Sequence, residues 1–276
     1  MINGKFENSS FGDKILLLLL IFIGCFAAAL VVCGICITLG MDMKLMQGLS
    51  SIISFALPAF IIATLYSQQK FHYLGFAGKS ACKTYVTAFV LMLILIPFIN
   101  LTGWLNEQVP FPHFMTGLET WMRQLEESTQ AQLQIFLEVK NIDALLLNLL
   151  IIALLPAICE EMFFRGTIQK ILLGKFNSHL AIWLTAIIFS FIHFQFFGFL
   201  PRLLLGALLG YIFAWSGNLW LSVLAHFANN ATMVILYYLH YNKILNIDID
   251  NIGIDNQWFV GIISAITGLF FIWILR

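Results

Sequence analysis

Ionisable side chains inside otherwise apolar segments are the residues of this sequence best suited to chemistry. In the segment 159–166, Glu161 and Arg165 stand four residues apart, on one face of a helix, where their charges can neutralise each other. Glu160 is rotated by about 100° from Glu161 and faces a different neighbour. An ionisable group inside a membrane-spanning helix costs about 2.5–3.5 kcal/mol, so such groups mark functional sites or internal ion pairs.

Two further apolar segments each carry a histidine. Phe189 and His193 share a helix face in one, and His226 and Asn230 lie one turn apart in the other. Taken singly, a buried histidine is more often structural, and a buried asparagine more often joins two helices. Together with Glu160, however, two histidines and an amide on three helices are the parts of a water-activating site.

The chemistry that these groups favour is hydrolysis of a peptide bond without a covalent nucleophile. A carboxylate beside a histidine can take a proton from water, while a second histidine and an amide can donate hydrogen bonds to an oxyanion. Serine hydrolysis is disfavoured, because Ser190 has no evident second base. A divalent metal such as zinc is an open alternative, with Glu160, His193 and His226 as ligands, although the motif His-Glu-x-x-His is absent.

The composition places these segments in a membrane protein. Hydrophobic residues make up 61% of the chain and charged residues 10%, whereas soluble domains are near half apolar and a quarter charged. The formal net charge is zero, so the basic surface that nucleic acid requires is lacking, and no nucleic-acid partner is expected. The five cysteines lie in or beside apolar runs, and their odd number argues against a disulfide framework.

Apolar runs of about 20 residues predict an all-α, polytopic bundle of about eight transmembrane helices. We interpret 1–276 as a single transmembrane domain with its motif core at 160–230. The sixth span is short and close to the seventh, so a hairpin that does not fully cross the bilayer is an alternative for this pair. The predicted spans are 15–39, 46–66, 82–103, 144–166, 179–198, 201–216, 218–240 and 258–275.

The distribution of charge predicts a multi-pass protein of the cell membrane with both termini in the cytoplasm. Cytoplasmic loops are enriched in Lys and Arg. The connection 104–143 then lies outside the cytoplasm, and its apolar residues recur at three- and four-residue spacing, which predicts an amphipathic helix that serves as a cap or as a lid. The basic residues on the cytoplasmic side would be Lys5, Lys14, Lys70, Lys79, Lys83, Arg165, Lys170, Lys175 and Arg276.

The three motif segments resemble the CAAX-processing and bacteriocin-processing (CPBP, or Abi) family of intramembrane proteases. The family pattern is Glu-Glu-x-x-x-Arg, then Phe-x-x-x-His, then His-x-x-x-Asn or Asp, and all three motifs occur in this order within 160–230. The resemblance implies an intramembrane endopeptidase in which Glu160 and His193 activate water. It further implies that His226 and Asn230 hold the oxyanion.

The same resemblance implies that Glu161 and Arg165 orient the site, and that Glu161 assists proton transfer. Members of the family have been described both as metalloproteases and as glutamate-dependent enzymes, so the resemblance leaves a catalytic metal open. Substrates of eukaryotic relatives are prenylated proteins that end in a CAAX motif, whereas bacterial members are linked to bacteriocin maturation and self-immunity. The expected partners are therefore the lipid bilayer and a peptide or lipidated protein.

A non-catalytic membrane transport, immunity or scaffold protein could use the same buried polar cluster. Transport would favour inverted repeats, and the sequence contains no convincing internal repeat. Catalysis makes a geometric demand, because Glu160 lies near the end of the fourth predicted span while His193 lies about 21 Å into the fifth. We therefore expect the fourth helix to continue past Gly166 towards Lys170, with Glu160 and His193 less than about 10 Å apart.

Overall fold

Helices build the part of the chain that the computed structural model describes, which comprises residues 4–246, 249 and 251–276. No strand occurs among these residues, so the expected all-α polytopic bundle is confirmed. A short helix at Lys70–Leu74 and two 3₁₀ turns supplement ten longer helices. These ten are α1 (Phe11–Thr38), α2 (Met43–Tyr66), α3 (Cys82–Ile94), α4 (Ile96–Glu107), α5 (Thr116–Leu137), α6 (Ile142–Leu173), α7 (Ser178–Phe191), α8 (Phe199–Ser216), α9 (Leu219–Tyr241) and α10 (Trp258–Leu275).

The number of helices that can span a membrane is lower than the sequence predicts. Within the described residues, six helices are long and apolar enough, and the bent pair α3–α4 makes a seventh. The predicted fifth span, 179–198, is the one that falls short: α7 has 14 residues and a length of about 21 Å, against a hydrocarbon core of about 30 Å. The prediction of eight is therefore not confirmed, and the short span is the fifth rather than the sixth.

Three prolines account for irregular geometry in the long helices. Proline lacks an amide hydrogen, and its ring clashes with the preceding turn of an α-helix. Pro97 lies where α3 meets α4 at an angle of 43°. Pro58 and Pro156 each follow a π-helical segment, at Ile52–Ala56 and Leu149–Leu154, whose wider turns let the helix continue past the proline.

The fourth predicted span continues beyond Gly166, as the position of Glu160 demands. Helix α6 runs to Leu173 and passes through a π-helical segment at Phe164–Gln169. A Cβ atom on Gly166 would lie 3.1 Å from the carbonyl oxygen of Leu74, so the glycine permits close packing without ending the helix. Glu160 consequently lies inside a long helix and not at its end.

The loops divide between two faces of the bundle. The face that carries both chain termini, here called the terminal face, also holds the short helix Lys70–Leu74, and the amide of Leu219 donates to the carbonyl of Gly75 there over 3.0 Å. Helix α5 lies on the opposite, distal face. It is the amphipathic helix expected within 104–143, and the ammonium group of Lys44 donates to the Phe136 carbonyl at its end over 3.1 Å. Which face meets the cytoplasm stays a prediction.

Candidate active site

A buried chain of hydrogen bonds joins α6, α8 and α9. The guanidinium of Arg165 donates to Glu161 Oε1 over 2.7 Å, with both side chains fully buried, and to the Gly206 carbonyl over 2.8 Å. His226 Nδ1 lies 2.9 Å from the same Glu161 oxygen. A carboxylate that is paired with an arginine only accepts hydrogen bonds, so Nδ1 of His226 carries the hydrogen. The four-residue spacing predicts the Arg165–Glu161 pair, and the structure contains it.

The close approach of α7 and α8 completes the wall behind this chain. A Cβ atom on Gly206 would lie 3.1 Å from the ring of Phe189, so only a glycine leaves room for that ring at its observed place. The guanidinium carbon of Arg165 lies 4.9 Å from the centroid of the Phe189 ring, within the range of a cation–π contact. Phe189 thus helps to compensate the buried charge of Arg165 and fixes the helix that leads to His193.

Glu160 faces both histidines. Its Oε2 atom lies 3.9 Å from Nε2 of His193 and 3.9 Å from Nε2 of His226. Nδ1 of His193 lies 2.7 Å from the Phe189 carbonyl, which can only accept, so this nitrogen also carries the hydrogen and Nε2 is left facing Glu160. Glu160 and His193 are thus less than about 10 Å apart, as a shared water molecule requires. Among the described residues, Glu160 Oε2 is buried without a hydrogen-bond partner.

Asn230 is less closely joined to the cluster. Its Oδ1 atom accepts a hydrogen bond of 3.1 Å from Asn229, and its side chain is half-buried on α9, one turn beyond His226. Within the described residues, hydrogen bonds and ion pairs connect the other five predicted site residues but do not reach Asn230. A role for Asn230 at an oxyanion stays a prediction.

Arg202 is a charged neighbour that the sequence prediction did not include. It interacts electrostatically with Glu160 and with Glu126 of α5, and it donates to the carbonyl of Gln195 over 3.1 Å. The pKa of Glu126 is raised above its ordinary value, chiefly by burial. Arg202 and the Phe197 amide lower this pKa, and Glu107 raises it. An arginine within a predicted span, 201–216, was the signal that could have revealed Arg202.

A cavity of about 710 Å³ with a mixed polar and apolar lining lies on the distal side of this cluster. It extends under α5 and is lined by Gln195, Arg202, Glu126, Glu107 and Trp104, among others. The candidate catalytic residues do not line it, but Gln195 follows His193 by two residues and Arg202 interacts electrostatically with Glu160. Its volume is within the range of small-molecule and peptide sites.

The candidate metal ligands Glu160, His193 and His226 have suitable chemistry but do not form a preassembled site. In their favour, each histidine is held through Nδ1 by an oxygen acceptor, as metal-bound histidines commonly are. Nevertheless, no group of three or more His, Cys, Asp or Glu side chains in the part of the chain described here is arranged to hold a metal ion. A divalent metal at these three residues therefore stays a prediction.

Comparisons with known proteins agree with the motifs. Residues 142–232 match the family model "Type II CAAX prenyl endopeptidase Rce1-like". The chain is 32% identical over 88 residues to "Uncharacterized protein YpbD" of Bacillus subtilis (strain 168), which corresponds to 30% of this chain and 42% of that relative. No solved structure matches. The matched segment contains all three motifs, so this third of the chain is similar to the Rce1-like family. The chain matches less than half of the length of YpbD.

Proposed function

We propose that this protein is an intramembrane endopeptidase that uses Glu160 and His193 to activate water. The observation that carries the proposal is the position of Glu160 Oε2, 3.9 Å from Nε2 of both His193 and His226. That separation is too long for a direct hydrogen bond, yet one water molecule can hydrogen-bond to both partners of each pair. The match of residues 142–232 to the Rce1-like family model supports the same activity.

Glu160 and His193 would share the deprotonation of water. His193 Nε2, free of hydrogen, accepts one hydrogen bond from the water, and Glu160 accepts the other and takes that proton as the water oxygen attacks the carbonyl carbon. The resulting tetrahedral intermediate breaks its C–N bond when Glu160 passes the proton to the leaving nitrogen. The products are one carboxylic acid and one amine, so atoms and charge balance.

His226 and Asn230 would hold the oxyanion. A neutral His226 has no hydrogen on Nε2, because Nδ1–H donates to Glu161, so donation to an oxyanion requires the imidazolium form. Glu161 accepts from Nδ1 and thereby fixes the orientation of the His226 ring, while Arg165 holds Glu161 in place. The amide of Asn230 would be the second donor.

Substrate would approach from the distal face. The side chain of His193 is 26% exposed, whereas that of His226 is 5% exposed, and the lining of the cavity under α5 includes Gln195, two residues after His193. With both termini in the cytoplasm of a cell-membrane protein, this face is extracytoplasmic. The substrate would then be a peptide or lipidated protein that is exported or anchored in the membrane, and not one confined to the cytoplasm.

The decisive experiment is cleavage by the purified protein in lipid nanodiscs, with quenched fluorescent peptides tested with and without a farnesyl group. We expect Glu160→Gln and His193→Gln to abolish cleavage. The matched controls Glu127→Gln and His72→Gln, at exposed positions, should retain it. Cleavage that persists in both site variants would place the active site elsewhere. Treatment with a chelator distinguishes metal-dependent from metal-free hydrolysis.

A wild-type protein that cleaves no peptide of the panel would favour a non-catalytic transport, immunity or scaffold role for the same cluster.

A further inference from the structure

The segment that follows His193 is held in place by contacts with other helices. Residues 194–198, here called the 194–198 loop, connect α7 to α8, and Phe194 begins it at φ +53°, in a region that bulky side chains rarely adopt. Such a conformation persists only where the surroundings enforce it. The contacts of this loop therefore hold the backbone that follows His193, whose ring is also held through Nδ1 by the Phe189 carbonyl.

Arg202 holds the loop from α8. Its Nη1 atom donates to the Gln195 carbonyl over 3.1 Å, and its Nη2 atom donates to the side-chain oxygen of the same residue. A Cβ atom on Gly198 would collide with the guanidinium of Arg202, so the loop backbone lies directly against that group. The two donors use the fixed fork of a guanidinium, which a lysine cannot reproduce.

Helix α5 holds the same loop from the distal face. Glu126 is influenced by the nearby Phe197 amide and interacts electrostatically with Arg202. The guanidinium carbon of Arg123 lies 4.4 Å from the centroid of the Phe197 ring, and the rings of Trp121 and Phe196 lie 6.1 Å apart. Helix α5 thus contributes a charge, a cation–π contact and an aromatic contact to a loop only a few residues long.

The end of α4 supplies a third support. The side chain of Asn106 donates to the Phe196 carbonyl over 2.9 Å and accepts from the Leu200 amide, also over 2.9 Å. Asn106 thus holds the loop at Phe196 and the first turn of α8 at Leu200. Of the three supports, the Glu126–Arg202 pair carries formal charge close to the catalytic groups.

Arg202 also interacts electrostatically with Glu160 and with His193, so the charge that holds the loop lies close to both proposed catalytic groups.

We propose that Arg202 is a positioning residue for His193, and that α5, through Glu126, is a permanent part of the active-site scaffold. Arg202 fixes the 194–198 loop through Gln195, and the charge of Glu126 favours Arg202 in that position through an electrostatic interaction. The inference accordingly answers whether α5 is a cap or a detachable lid: α5 stays docked while the enzyme turns over. Its kinetic part rests on the proposed peptidase activity, whereas its structural part does not.

Hydrogen–deuterium exchange in nanodiscs tests the structural part without a substrate. In Arg202→Met, Arg202→Lys and Glu126→Ala, we expect the amides of 194–200 to exchange about tenfold faster or more. The Arg202 variants lose the forked hydrogen bonds to Gln195, and the Glu126 variant loses the carboxylate that interacts electrostatically with Arg202. The matched controls Lys140→Met and Glu127→Ala remove exposed charges from the same face and should leave exchange unchanged. Wild-type exchange rates in all three test variants would overturn the proposal.

Steady-state kinetics test the positioning role once a cleaved peptide is known. Arg202→Met and Glu126→Ala should lower kcat about tenfold or more and leave KM within about twofold, because misplacement of a catalytic group acts on the chemical step. A raised KM with unchanged kcat would show that Arg202 contacts the substrate, and the positioning role would be refuted. Because exchange is measured without substrate, failure of this inference is distinguishable from failure of the proposed activity.

Discussion

Replacement of Arg165 by methionine would leave a buried carboxylate without its main partner. Arg165 and Glu161 are both fully buried and lie 2.7 Å apart. Removal of one member of a buried ion pair costs about 3–5 kcal/mol, because the remaining charge is uncompensated. The hydrogen bond of 2.8 Å from Arg165 to the Gly206 carbonyl would be lost as well. We therefore expect Arg165→Met to be severely destabilising.

The size of the expected effect can be measured by thermal unfolding in nanodiscs. For a chain of this size, 1 kcal/mol corresponds to about 2–4 °C, so Arg165→Met should lower Tm by at least about 6 °C. The double variant Glu161→Gln, Arg165→Met should recover part of this loss, because it removes the unpaired charge. A loss of less than about 2 °C in Arg165→Met, or strictly additive losses in the double variant, would refute the view that the pair is a compensated buried unit.

Three further predictions follow from the geometry. His226→Gln should lower kcat about 10²–10³-fold with little change in KM, measured by steady-state peptide cleavage, if His226 donates to the oxyanion; an unchanged kcat would remove it from that role. Gly210→Ala should destabilise the folded protein by about 1–3 kcal/mol in thermal unfolding, because the added Cβ would lie 2.9 Å from two neighbouring side chains. The control Gly24→Ala should not destabilise it, because a Cβ there meets nothing within 4 Å. Exposed Cys82 on the terminal face should react with a membrane-impermeant maleimide only after cells are permeabilised, and labelling of intact cells would reverse the predicted orientation.

Sequence reasoning succeeded where the information is local. The pair Glu161 and Arg165 could be predicted because four residues of α-helix return to the same face, and the long helices because a bilayer demands about 20 apolar residues. The contact between His226 and Glu161 depends instead on how α6 and α9 are rotated against each other. Spacing within one helix carries no information about that rotation.

The end of α7 and the role of Arg202 were missed for related reasons. Residues after Phe191 are still mostly apolar, so hydropathy extends the helix to 198, although the chain turns at Phe194. Hydropathy measures burial and does not distinguish a buried turn from a buried helix. Arg202 acts on Gln195 through that turn, so its function became visible only with the turn itself.

The π-helical segments of α6 have a consequence for the comparison of relatives. A π-helical turn holds one residue more than an α-helical turn, and the residue is accommodated without leaving the helix. Helix α6 contains two such segments, Leu149–Leu154 before Glu160 and Phe164–Gln169 around Arg165. A homologue that lacks one of them would align with a one-residue gap in the middle of a transmembrane helix. Such a gap would mark a change of helical phase next to Glu160 and Glu161, where an insertion is ordinarily taken as evidence of a loop.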